Sequence, residues 1–264
     1  MARALGVIPA RYASSRFPGK PLASLSGRPL LQHVHERASR ARRLAGVWVA
    51  TDDSRIVELV RRFGGHAVMT SPDHSTGTDR VAEVAAMPEA ADYGIVVNIQ
   101  GDQPLIDPDA LDGLVAAFDA DPDLRMATLF EPLRTVEDLL DPNVAKVVAD
   151  SRGRALYFSR SPIPYYRHSG SPMEEASRQA TGLLPRRPEG MAGFHKHVGI
   201  YALRRDFLFE FGRMPQGRLE ALEGLEQLRV LEAGYAIQLV PSAGVSISVE
   251  TPEDLSRVEA IISS

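Results

Sequence analysis

The sequence predicts an α/β fold built on a largely parallel sheet. Short, densely apolar runs occur at 4–8, 47–50 and 95–99, and helix-length segments separate them. Strands buried on both faces read as continuous apolar runs, and the helices between them supply the crossovers that parallel pairing needs. After residue 124 the rhythm changes: "RMATLF", "NVAKVVAD" and "RALYFSR" read as strands joined by turns. A smaller mixed-sheet lobe over about 125–215 is therefore expected, inserted into one domain spanning 1–264.

The elements follow in order. Residues 30–43 carry Leu30, Leu31, Val34 and Ala38 on one helical stripe. A helix starts after "TDDS", where Asp52 or Asp53 can cap the exposed amides and Ile56, Val57 and Val60 can face the sheet. Further helices are expected over 77–87 and 108–118. The stretch 165–193 is rich in proline, glycine and charge and reads as a long loop. Leu219, Leu222, Leu225, Leu228 and Leu231 recur every third residue, which predicts one helix with its leucines in the core. Near the end, Thr251 before Pro252, with Glu253 and Asp254 behind, marks a helix start and puts Glu250 between a strand and the last helix.

Composition narrows the function. With 264 residues, 44% of them hydrophobic, the chain can bury a sizeable core. A formal net charge of -4 argues against a large nucleic-acid footprint. The absence of cysteine excludes disulfides, thiol nucleophiles and thiolate-bound zinc. No apolar stretch approaches the roughly 20 residues of a membrane helix, and no targeting region precedes the first proline, so a cytoplasmic protein without membrane insertion is expected. Lysine is scarce, with only Lys20, Lys146 and Lys196, so Lys20 is not an interchangeable surface lysine.

Chemistry concentrates in the loops. "PARYASSRFPGKPL" brings Arg11, Arg16 and Lys20 together after the first strand. Arginine forks and a mobile ammonium suit a polyphosphate, although no G-x-x-x-x-G-K-[ST] loop is present. "NIQGDQPLI" sets Asp102 at the carboxyl end of another strand, where parallel sheets bind ligands and where a carboxylate can hold magnesium against phosphates. Glu250 is the sequence-distant carboxylate best placed to join it. "DHSTGTDR" offers backbone groups for a base edge and Arg80 for an anion, while Arg160, His197 and Tyr201 fall on or after later strands. His195 and His197 stand two apart, a weak metal signal, and no serine sits in a nucleophile elbow.

Taken in order, these fragments, with "ATDD", "NVAKVV", "ALYFSRSPIPY", "HVGIYALRRDFL", "LEALEGLEQLRVLEAG" and "VETPEDL", resemble the 3-deoxy-manno-octulosonate (Kdo) cytidylyltransferases through nearly the whole chain. The resemblance implies a Rossmann-like nucleotidyltransferase fold with a central, mostly parallel sheet and a smaller mixed-sheet lobe. It also implies CTP as co-substrate, Mg2+, pyrophosphate release and a homodimer. It assigns Lys20, Arg11, Arg16 and Asp102 to catalysis. Ala10, Ser15, His74, Thr76 and Gly77 join Arg11, Lys20 and Asp102 around the nucleotide, and Asp102 with Glu250 holds the metal. Arg80, Gln100 and Tyr201 fall on the acceptor side, as do Arg160, His197, Glu223 and Gln227.

The implied reaction is direct attack of an acceptor oxygen on the α-phosphorus of CTP, without a protein nucleophile. Kdo or a close acidic-sugar analogue is the expected acceptor. The chain departs from the family pattern at Glu250 and Gln103, where aspartate and an acidic residue are usual, and in "PQGRLE" and the segment around 174–193. These departures raise a small phosphonate such as phosphonoformate as the alternative acceptor.

Overall fold

The computed structural model describes residues 2–13, 17–165 and 193–263. Ser15, Arg16 and nearly all of the 165–193 stretch lie outside the described residues. The strands are β1 (Arg3–Pro9), β2 (Ser24–Leu25), β3 (Arg28–Pro29), β4 (Leu44–Thr51), β5 (His66–Met69), β6 (Tyr93–Asn98), β7 (Met126–Pro132), β8 (Lys146–Ala149), β9 (Ala155–Ser159), β10 (His195–Arg204) and β11 (Ile237–Pro241). The first helices are α1 (Leu30–Ala38), α2 (Ser54–Arg62), α3 (Gly77–Ala86), α4 (Pro108–Ala120) and α5 (Val136–Leu140). The chain divides into two compact units, the first comprising Met1–Ala127, Gly199–Met214 and Ser242–Ser264, the second Thr128–Val198 and Pro215–Pro241.

In the first unit β6, β1, β4 and β5 lie side by side and parallel, and the last residues of β10 run antiparallel to β6, pairing Tyr201 with Asn98. Leu5, Val7, Ile8, Val49, Ala50 and Val97 are wholly buried, as strands covered on both faces must be. The chain builds outward from β1 to β4 and β5, then returns to β6 on β1's other side. The strand order therefore reverses between β1 and β6, where open α/β sheets place their ligand crevice.

Local signals set the helix starts. Asp53 caps α2 by accepting from Arg55 N, Thr76 and Asp79 form a capping box on α3, and Thr251 and Asp254 form another on the Pro252–Ile262 helix. That last helix packs Val258 against Leu25, Leu30 and Val249. The strand expected before Glu250 does not form: after β11 ends at Pro241, residues 242–250 run irregularly. No helix of the described residues is long and apolar enough to cross a membrane.

The second unit carries a small antiparallel sheet. β8 pairs with β9 and with the start of β10, aligning His195 with Val147. The single leucine helix expected over 219–231 is two short helices, Arg218–Glu223 and Leu228–Glu232. Gly224, in the left-handed region at φ 61°, ends the first. The break leaves Leu222 73% exposed while Leu225 and Leu228 stay in the core.

Candidate functional site

Three loops of the first unit converge at the β1/β6 switch point. The first leaves β1 at Pro9; Ala10 is buried and its N–H donates to Ala50 O at 2.9 Å, holding the loop's start against β4. The second leaves β6, and it approaches so closely that a Cβ on Gly101 would sit 3.0 Å from Pro9 O. Only glycine fits there without displacing backbone. The third is the His74–Gly77 turn that starts α3. The Arg11 guanidinium donates to His74 O and, at 3.2 Å, to Thr76 O, so it stitches the first loop to the third. His74 is itself anchored through its ring to Glu83, which also accepts from Ser71 N at 2.9 Å.

Lys20 and Asp102 meet at the centre. Lys20 Nζ lies 2.7 Å from Asp102 Oδ2, and the side chains keep 18% and 24% of their surface exposed. The backbone of the same loop braces the 242–250 segment: Val249 N donates to Asp102 O at 2.8 Å and Gln103 Nε2 to Ser248 Oγ at 3.4 Å. Glu250, next in the chain, is thereby held beside the Asp102 loop by backbone contacts, its own N–H donating to Asp254 Oδ2 at 3.1 Å. The Asp102 carboxylate is engaged by the Lys20 ammonium, and carboxylate oxygens are the hard donors that suit magnesium together with phosphate oxygens. Among the described residues no group of three or more His, Cys, Asp or Glu forms a metal cluster.

Gln100 donates through Nε2 to Gly199 O at 2.8 Å, beside Tyr201, which is 6% exposed. Arg80 is wholly buried, its guanidinium bonded to Asp52 at 2.7 Å and to Thr70 Oγ1. The guanidinium is thus held by a carboxylate and presents no exposed surface. Its partners lie 28 and 10 residues away, too far for local pattern to reveal.

The second unit gathers the other sequence-selected residues into two hydrogen-bonded groups. Glu223 accepts from Ser159 Oγ at 2.7 Å and from Arg160 N at 2.9 Å. Arg160 donates to Glu223 O at 2.6 Å, Pro142 O at 2.7 Å and Gly224 O at 3.3 Å. Its positive charge is thus met by carbonyl dipoles. Lys146, fully buried, donates to Asp141 O at 2.9 Å and Val144 O at 2.6 Å, and burial pushes its pKa down.

His197 is held on both ring nitrogens. Gln227 Nε2 lies 3.3 Å from Nδ1 and Thr128 Oγ1 2.9 Å from Nε2, while Phe158 packs edge-on against the ring at 4.9 Å. An amide NH2 only donates, so Nδ1 accepts and Nε2 carries the proton. Thr128 donates its own hydroxyl proton to Val198 O at 3.3 Å and accepts from the ring through an oxygen lone pair. Burial of the ring pushes its pKa down to about 3, so the His197 imidazole is neutral at neutral pH. His195 is also pushed down by burial and meets Phe130 edge-on at 4.8 Å.

Sequence reasoning missed Tyr12, Arg55, Thr128 and Lys146. Lys146 carried the same scarcity signal as Lys20, and Tyr12 stands between two selected cations. Thr128 and Arg55 carried no local signal.

Comparison with known proteins fits these loops into a family. The cytidylyltransferase profile matches residues 5–239. The chain is 51% identical over 252 residues to a 3-deoxy-manno-octulosonate cytidylyltransferase of Geobacter sulfurreducens, covering 96% of each chain. It is also 51% identical over 254 residues to the protein of that name from Syntrophotalea carbinolica, again with 96% of each covered. A solved structure of CMP:2-keto-3-deoxy-manno-octonic acid synthetase complexed with CTP superposes with a TM-score of 0.85 at 42% identity, covering 99% of both chains. These matches lend no support to a phosphonate acceptor.

Proposed function

The chain belongs to the cytidylyltransferase family, among the 3-deoxy-manno-octulosonate (Kdo) enzymes, and on that premise we propose that it transfers CMP from CTP to the anomeric hydroxyl of Kdo, releasing pyrophosphate. The observation that carries this reading is the pairing of Lys20 with Asp102 where the β1 and β6 loops meet at the sheet's switch point. A cation and a carboxylate so placed divide the work of phosphoryl chemistry. Lys20, with Arg11 and Arg16, neutralises the triphosphate and the pyrophosphate as it leaves. The His74–Gly77 turn, tied to Arg11, borders the base.

Asp102 and Glu250 are the proposed holders of Mg2+, which when bound supplies charge screening between the attacking oxygen and the α-phosphate. Ser15 and Ala10 complete the nucleotide contacts by resemblance. For the acceptor, Gln100 and Tyr201 are proposed in the first unit, and Arg160, His197, Glu223 and Gln227 in the second. His197 acts there by orienting the Gln227 amide, because both its ring nitrogens are engaged. The Kdo hydroxyl attacks the α-phosphorus directly, so no covalent protein intermediate forms. The lobe over about 125–215 is proposed as acceptor-binding and as the dimer contact, the enzyme working as a cytoplasmic homodimer.

The test is magnesium-dependent pyrophosphate release from CTP and Kdo, with mass detection of the conjugate. CMP-Kdo and pyrophosphate in equal amounts are expected. Pyrophosphate without the conjugate, or neither product, would overturn the acceptor assignment. Light scattering at working concentration checks the dimer.

A further inference from the structure

We propose that Tyr12, clamped by Arg55, is a positioning residue that sets Lys20 for the triphosphate; this deepens the cytidylyl-transfer reading and rests on it. Tyr12 follows Arg11 in the chain and closes the loop on Gly19, the residue before Lys20. The closure is specific. Gly19 N donates to Tyr12 O at 3.0 Å, and Gly19 adopts φ 73°. A Cβ on Gly19 would lie 3.4 Å from Cε2, Cζ and the hydroxyl of the Tyr12 ring, so the hydroxyl end of the ring packs against the glycine. That end of the ring is thus used to shape the turn that delivers Lys20.

The ring is also held by a cation. The Arg55 guanidinium sits 3.3 Å from the ring centroid, a cation–π contact. Arg55 does not wander, because Asp53 grips it from Nε at 2.9 Å and from its terminal nitrogen at 2.6 Å. Asp53 in turn caps α2, an element packed on the sheet. A continuous chain therefore runs from the α2 cap through Arg55 and the Tyr12 ring to Gly19 and Lys20 Nζ, 2.7 Å from Asp102.

This arrangement suits positioning more than stability. The Arg55 side chain is 55% exposed, and a cation–π contact at an exposed site adds little to global stability. Lys20, by contrast, must meet a phosphate within a fraction of an ångström, and misplacement of a catalytic group is costly in rate.

The experiment compares CTP affinity by calorimetry with steady-state kinetics in the full-length enzyme. Tyr12→Ala should weaken CTP binding about tenfold and lower kcat, with the KM for Kdo within about twofold and the melting temperature nearly unchanged. Tyr12→Phe, which keeps the ring, should recover most of the affinity. Arg55→Ala should show a smaller loss of the same kind, and the double variant should be no worse than Tyr12→Ala alone, because the two act as one unit. CTP binding by Tyr12→Ala equal to the wild type, equal changes in both KM values, or additive losses would overturn the proposal. If the wild-type protein itself binds no CTP, the functional reading falls with it, whereas tight wild-type binding matched by Tyr12→Ala sinks only the positioning role.

Discussion

The molecule treats charge in opposite ways in its two units. At the β1/β6 loops of the first, Lys20 and Asp102 face each other with part of their surface open to solvent. In the second, Lys146 and Gln227 are buried, Arg160 is gripped by carbonyl oxygens, and His197 is neutral. The first arrangement keeps charge available, which a triphosphate carrying several negative charges demands. The second converts charge into fixed geometry, since a buried donor tied to carbonyls cannot swing toward an alternative partner without leaving those oxygens unsatisfied. Open charge and fixed geometry are thereby carried by different residues.

The most severe way to break this contrast is Lys20→Ala. If the exposed pair is there for chemistry, kcat should fall by about 10²- to 10³-fold, the range for losing one preorganised electrostatic group. The same substitution should cost little stability, because a partly exposed pair contributes modestly. Steady-state rates beside a urea titration give both numbers. A wild-type kcat would remove Lys20 from the mechanism.

Asp52→Ala tests the opposite kind of charge inside the first unit. It strands the Arg80 guanidinium, wholly buried, without its carboxylate. Breaking a buried pair from one side costs about 3 kcal/mol or more, so the urea midpoint should drop clearly. The KM values for CTP and Kdo should stay within about twofold in the folded protein. A selective rise in the Kdo KM would assign Arg80 to the acceptor.

Arg80 also shows where reading the sequence stops. The strand and helix alternation and the caps at Asp53 and Thr251 were legible because each is a short-range pattern. Lys20 and Asp102, 82 residues apart, were legible as well, because both follow parallel strands and the carboxyl ends of such strands bind ligands. Burial of Arg80 needs Thr70 and Asp52 placed by tertiary packing. The leucine repeat misled because Gly224 interrupts a periodicity that composition alone supports, and the strand before Glu250 failed because that segment is held by loop contacts to Asp102 and Gln103. Thr128, His197 and Gln227 span a hundred residues and become one relay only in the folded unit.

That relay supports the smallest and sharpest prediction. His197 titrates at 6.5 unfolded but at about 3 in the folded protein, because burial disfavours the imidazolium. Between those values the unfolded chain binds more protons, so the contribution is complete above pH 6.5 and is lost progressively as pH falls toward 3. From pH 7 to pH 5 this single group should remove about 2 kcal/mol of stability. His197→Gln keeps a polar side chain but cannot titrate. It should be less stable than the wild type by about 1 kcal/mol at pH 7, the scale of one hydrogen bond, yet should lose less on acidification, so the two proteins cross between pH 7 and pH 5 and the variant is the more stable at about pH 5. Parallel urea curves at both pH values decide it. Equal acid losses in both would mean that His197 is not held neutral, and the contrast between a unit that presents charge and one that suppresses it would lose its clearest member.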